Sequence, residues 1–116
     1  AAASRDMTVV GFEEGPTAVV AHNDAVAISE LDRLHRSGLR VPQDVSVTGY
    51  DDTALASHAL IRLTTVGTDA ELAGEVAAEQ LILAVREHRH VRHRHVQPAR
   101  LAVRATTGRA PRKRRG

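Results

Sequence analysis

The stretch that decides the fold is Pro16 to Asp52, PTAVVAHNDAVAISELDRLHRSGLRVPQDVSVTGYDD. It reads as strand, helix, strand. Thr17 to Ala21 is an apolar, β-branched run closed by His22-Asn23-Asp24. Ala25 to Ser37 has helical spacing and stops at Gly38. Val45 to Thr48 is a second β-branched run, closed by Gly49-Tyr50-Asp51-Asp52. Two strands joined by a helix are expected to lie parallel, with a right-handed crossover. Ligands of open parallel sheets sit outside the carboxyl ends of the strands. Asn23, Asp24, Asp51 and Asp52 fall at that edge.

Within the helix, Val26, Ala27, Ile28, Leu31 and Leu34 supply an apolar face, with Glu30, Arg33 and Arg36 on the wetter side. Asp24 reads as its N-cap, because a carboxylate can accept from the free N–H groups of the first turn. Asp52 reads likewise as a cap for the segment after it, with a helical turn expected within Thr53 to Ala59. Gly38 suits the left-handed position past a helix end. Pro42 keeps the chain extended towards the second strand.

Beyond Asp52, Leu63 to Val66 reads as a strand. Thr68 and Glu71 have capping-box spacing, so a helix is expected from there to about Glu87. Glu71, Glu75 and Glu79 mark its wet stripe. Ala73, Val76, Ala77, Leu81, Ala84 and Val85 mark the stripe expected to be buried, with Ile82 and Leu83 off its centre and free for a partner. His88 to His95 is a polar bridge. Val96 to Ala105 reads as a last strand with Leu101 and Val103 on one face.

The words PTAVVAHND, SGLRVPQDVSVTGYDD and LTTVGTDAELAG, in that order and spacing, resemble the effector-binding domain of the LacI/GalR family of bacterial transcription regulators. That domain is shared with periplasmic sugar-binding proteins. The resemblance covers roughly Pro16 to Thr107. It implies the C-terminal subdomain of a type I periplasmic-binding-protein-like fold, an α/β parallel sheet with flanking helices, expected to be incomplete in this chain. The expected organisation is a remnant or linker over 1–15, the sensor subdomain over 16–107 and a basic disordered tail over 108–116.

The resemblance also implies a mechanism. A small polar effector, sugar-like or nucleoside-like, would bind between two subdomains and change their angle, which biases dimeric DNA-binding headpieces. Positions matching Asn23 and the first aspartate of GYDD, Asp51, contact the effector in the family. Thr68 and Ala70 match positions where some relatives place larger polar or aromatic contacts, so Thr68 joins the ligand set. Phe12 matches the family's stacking aromatic, although the helix that should separate it from PTAVV is missing. Half of the family's cleft comes from an N-terminal subdomain expected to be absent from this sequence, as is the N-terminal helix-turn-helix headpiece that reads DNA in the family. The resemblance implies a homodimer, with Ile28, Leu55 and Ala59 the residues to inspect at its interface.

Composition bounds the rest. The chain has 116 residues, enough for one domain. Hydrophobic residues make up 42% and aromatics 2%, so the core must be thin and built from Val, Leu, Ile and Ala. So small a core is expected to need a partner or the rest of a parent protein. There is no cysteine, hence no disulfide and no thiolate metal site, which fits a reducing cytoplasm. No apolar run approaches the ~20 residues of a membrane span, and AAASRDMTVVGF lacks the long apolar stretch expected of a secretory signal. The formal charge is +2, with most arginines after position 86.

Other chemistries are weaker. His88, His90, His93 and His95 have spacings that could hold zinc or nickel, against the plainer reading of an exposed loop; no metal is assigned. The basic tail could touch phosphates without reading sequence. Ser57-His58 is no triad, there is no phosphate loop, and Asp51-Asp52 fits effector contact better than magnesium. No catalytic residue and no cofactor is assigned, and the chain is not expected to be an enzyme. Two other functions stay open: a transporter's sugar-binding protein, and a non-functional truncated remnant.

Overall fold

A computed structural model describes residues 16–88 and 92–112. Its elements run β1 (Ala18–Val20), α1 (Asp24–Arg36), β2 (Ser46–Thr48), β3 (Thr65–Gly67), α2 (Ala70–Glu87) and β4 (Arg100–Ala102). The expected strand over Thr8 to Phe12 lies outside the described residues.

β1 and β2 pair in parallel, with Val19 opposite Val47. This is the βαβ unit that the two β-branched runs and the intervening helical spacing imply. A parallel bridge between Thr48 and Thr64 carries the sheet on towards β3, and β4 pairs antiparallel with β3, Val66 opposite Leu101. β2 therefore lies inside the sheet. Its lower half is also held by the chain's end, where the Val47 N–H donates to the Thr106 carbonyl at 2.8 Å and Thr106 Oγ1 donates to the Val47 carbonyl at 2.7 Å.

The core is as thin as the composition requires. Ala21, Ala27, Leu34, Val45, Val47, Ala56 and Leu63 are buried, with Val19, Val26, Leu31, Val41 and Ile61 packed around them. Three of the seven are alanine, so close approach of backbone replaces bulk. α1 lays Ala27 and Leu34 on the sheet, as its spacing predicts. Glu30 departs from the expected pattern. Its side chain is only 11% exposed and is paired with Arg33 one turn on. Gly38 takes a φ of 76° just past the helix end, where a side chain would be strained.

The loop into β2 is closed by Arg40 and Asp44. The Arg40 guanidinium donates to both carboxylate oxygens of Asp44 at 2.9 Å, and the Arg40 backbone N–H adds a third bond at 2.8 Å. Those side-chain and backbone bonds pull the Asp44 carboxyl down to about 2. The Val41–Pro42 peptide within the loop is cis.

Two expectations fail here. The N-cap of α2 is Asp69, whose side chain accepts from the Leu72 N–H at 2.9 Å, and Thr68 stands one residue outside the helix. Asp69 wins because its carboxylate sits directly before the first turn, where it meets the helix dipole as well as the orphan N–H groups. The second failure is larger. No residue of α2 is buried. Leu81 and Val85, expected in the core, are each 65% exposed, and Leu72, Ile82 and Leu83 are exposed with them. The periodicity is that of a packed helix, but the cover is slight: Ala73, Val76 and Ala77 share an open hollow with His93, His95 and Gln97, and the larger side chains further along stay exposed.

Candidate ligand-binding edge

The carboxyl ends of β1, β2 and β3 meet at one edge, and main-chain bonds lock them together. The Asp24 N–H donates to the Tyr50 carbonyl at 2.9 Å, and the Asp51 N–H to the Val66 carbonyl at 2.7 Å. HND, GYDD and VGTD therefore come side by side although they are far apart in sequence.

Asp24 is not the helix cap. It is the first residue of α1 and only 1% exposed. One carboxylate oxygen accepts from the Thr53 N–H at 2.7 Å and the Thr53 hydroxyl at 2.9 Å; the other accepts from the Thr65 hydroxyl at 2.6 Å. Three donors without a cation satisfy the buried charge. The carboxylate rests directly on the Gly49 backbone, where an added Cβ would also come within 2.9 Å of Leu63. The glycine of GYDD is thus a space requirement set by an aspartate 25 positions earlier.

The cap is Asn23. Its backbone is extended, and its side-chain oxygen accepts from the Val26 N–H at 2.9 Å. The amide nitrogen makes no bond to a described residue. Asn23 therefore caps the helix with one end and offers a donor with the other.

Asp51 and Asp52 form the turn after β2, both with left-handed backbone, φ 108° and 50°. Non-glycine residues in such conformations cost of order 1–3 kcal/mol each and persist only where the surroundings over-determine them. Here the surroundings are specific. Asp52 is no cap either: its carboxylate accepts from Arg104 at 2.7 Å, because the turn aims it at that guanidinium and no helix follows. Its Cβ packs so closely on Gly67 that a Cβ there would approach it to 2.6 Å. The segment Thr53 to Ala59 forms turns. The Asp51 carboxylate is exposed and unpaired with any described residue.

Thr68 is exposed and lines a pocket of about 360 Å³ with Asp52, Gly67, Asp69, Leu72, Gln97, Pro98 and Arg100. The Gln97 amide nitrogen is buried beside it without a hydrogen-bond partner. Asn23, Asp51 and Thr68 are therefore brought to one edge, and they offer donors and acceptors of the kind a polyol or nucleoside engages. Phe12 lies outside the described residues.

Of the residues expected at a dimer interface, Ile28 is half-buried on α1, while Leu55 is 59% exposed and Ala59 is exposed. Ala59 lines a second hollow, of about 660 Å³, with Leu31, Leu60 and Ile61. Ser57 donates to the Ala54 carbonyl, and His58 Nδ1 accepts from the Leu60 N–H. Each serves its own turn. Of the histidine run, His90 lies outside the described residues, and the rings of His93 and His95 stack 6.5 Å apart. Among the described residues there is no group of three metal-ligating side chains, and no helix is long and apolar enough to cross a membrane.

Sequence reasoning missed Thr53, Thr65 and Arg104. Threonines before and within a strand carry no local signal of a partner. Arg104 stands 52 positions from Asp52, and only the antiparallel return of β4 brings it back.

A parallel βαβ sheet with polar side chains gathered at its carboxyl edge is the architecture of a small-molecule-binding module. Comparison with known proteins gives the family. The profile described as periplasmic binding protein-like domain matches residues 1–107. The chain is 38% identical over 82 residues to the HTH-type transcriptional repressor PurR of Vibrio atlanticus, covering 71% of this chain and 25% of the repressor. Among solved structures it superposes on the Lac repressor dimer bound to operator and the anti-inducer ONPF with a TM-score of 0.70 and 37% identity, covering 79% of this chain and 32% of that one. It superposes on the transcriptional regulator CelR in complex with cellobiose with a TM-score of 0.72 and 37% identity, covering 78% and 28%. The chain belongs to the periplasmic binding protein-like family, in the form carried by LacI-type regulators. It spans about a quarter of the length of the curated relatives it matches.

Proposed function

We propose that this chain is the ligand-sensing part of a LacI-type transcriptional regulator, working in the cytoplasm and binding its effector without converting it. The observation that carries this reading is the Asp51 carboxylate, unpaired among the described residues, at the same carboxyl edge of a parallel sheet as the capping Asn23. A carboxylate can accept two hydroxyls at once and the amide nitrogen donates to a third. The effector is a small polar molecule such as a sugar, in keeping with the cellobiose complex of the CelR relative.

The site is one wall of a cleft. α2 leaves Leu81, Ile82, Leu83 and Val85 exposed, and we assign these side chains to contact with the remainder of the effector-binding body, since this chain covers 32% of the Lac repressor chain. Closure of the two walls on effector would bias a dimer, with Ile28, Leu55 and Ala59 at the contact, and DNA would be read by a headpiece. The Lac repressor relative is a dimer on its operator.

Thermal melting of the chain against a panel of pentoses, hexoses and nucleosides tests the sensor. A ligand held only by the folded state adds roughly 2.7 kcal/mol of stability at a hundredfold excess over Kd. A midpoint raised by one ligand class and abolished by Asp51→Ala supports the reading. A cooperative melt indifferent to the whole panel counts against it.

A further inference from the structure

We infer that Arg104 is a positioning residue for the ligand edge, acting on Asp51 through Asp52. The inference rests on the ligand-edge reading above, but it concerns a residue that touches no part of the Asn23–Asp51–Thr68 set.

Arg104 bonds to three places at once. Its backbone N–H donates to the Thr64 hydroxyl at 2.9 Å, which fixes where the side chain starts. One guanidinium nitrogen donates to the Leu63 carbonyl at 3.0 Å, and the other to the Asp52 carboxylate at 2.7 Å. Leu63 is buried in the core. The fork is thus anchored at its inner end on rigid backbone and grips the turn with its outer end. A planar guanidinium can do this where a lysine ammonium cannot, since it donates along two fixed directions.

What it grips is the strained part. Asp51 and Asp52 both have positive φ. Asp52 is held on one side by the close Gly67 backbone, and its N–H meets only the Thr65 hydroxyl at 3.4 Å. Without the arginine, the charge of Asp52 has no partner among the described residues and the turn can relax towards ordinary backbone angles. Asp51 precedes it directly, so relaxation at Asp52 re-aims the Asp51 carboxylate. The Arg104 side chain is 22% exposed and that of Asp52 36%, so the pair is shielded enough for its geometry to hold. Neither group contributes to the apolar cluster under the sheet.

Amide hydrogen exchange on the full chain distinguishes a local clamp from a general strut, and it needs no effector. In Arg104→Met, exchange at the Asp51 amide should speed up at least tenfold. The Ala21 and Ala27 amides, which bond to Thr48 in β2 and to Asn23 at the start of α1, should keep their wild-type rates. Arg104→Lys, with the charge but not the fork, should fall between. If Arg104→Met does not fold, Arg104→Lys is read at the same amides. Unchanged exchange at Asp51 in a folded variant overturns the inference, and so does acceleration at Ala21 and Ala27 equal to that at Asp51. Titration with D-ribose, D-glucose and adenosine adds a second arm. Any of these that binds the wild type should bind Arg104→Met at least tenfold more weakly, and equal affinity overturns the inference. If none binds the wild type, the sensor reading is weakened while the exchange rates still decide what Arg104 does.

Discussion

Asp24 shows how one carboxylate can organise an edge without facing a ligand. It stands where a cap belongs, beside a helix start, yet its oxygens point inward to Thr53 and Thr65. It thereby ties the start of α1 to the turn after β2 and to β3. Asp24→Ala removes the acceptor of three donors, of which the Thr65 hydroxyl is fully buried and the two of Thr53 are partly so, and should destabilise the chain by about 3 kcal/mol, since a buried donor left without a partner costs roughly 1–3 kcal/mol. Chemical denaturation checks this. A loss under about 1 kcal/mol would mean that the threonines find other acceptors. The sequence made Asp24 and Asp52 look alike, two aspartates at two strand ends. Their fates differ because one meets hydroxyls in the core and the other a guanidinium at the surface.

At the scale of the element, the two helices begin in the same way: an Asx residue accepts from an N–H three positions on, Asn23 from Val26 and Asp69 from Leu72. Capping alone is worth about 1 kcal/mol. Asn23→Ala should therefore lose about 1 kcal/mol in denaturant unfolding, besides any effect on ligand. Thr68→Ala should change stability by less than about 0.5 kcal/mol, because Thr68 caps nothing; a larger loss would restore the capping-box reading. Helix positions were legible from spacing, and both boundaries fell within a residue or so. The cap identities were not, since Asn, Asp and Thr stand in adjacent positions and all can accept from the first turn.

For the whole molecule, the decisive fact is the imbalance between its halves. The β1–α1–β2 unit buries its apolar face, while α2 has no fully buried residue. Leu81→Gln with Val85→Gln should leave the unfolding midpoint of the chain unchanged to within about 0.5 kcal/mol, because side chains already 65% exposed lose little contact. The same pair should reduce self-association measured by sedimentation, as exposed apolar patches promote contact between molecules. A destabilisation above 2 kcal/mol would show that the α2 face is covered in solution by this chain itself.

The sequence alone determined the parallel βαβ unit, the helices and the edge at which polar residues gather, because these follow from short-range periodicity and from the rule that ligands meet a parallel sheet at its carboxyl ends. Tertiary structure decided which polar residue does what. Asp24 became an anchor, Asn23 a cap, Asp52 the partner of Arg104, and Asp51 the carboxylate left without a partner among the described residues. The reason is physical: the partners come from positions up to 52 residues away, and a side chain's role is set by the donor it meets, which no local pattern encodes. The bare face of α2 belongs to the same lesson. Amphipathic spacing says that a helix has a side to bury, and only the packed molecule says whether anything is there to bury it.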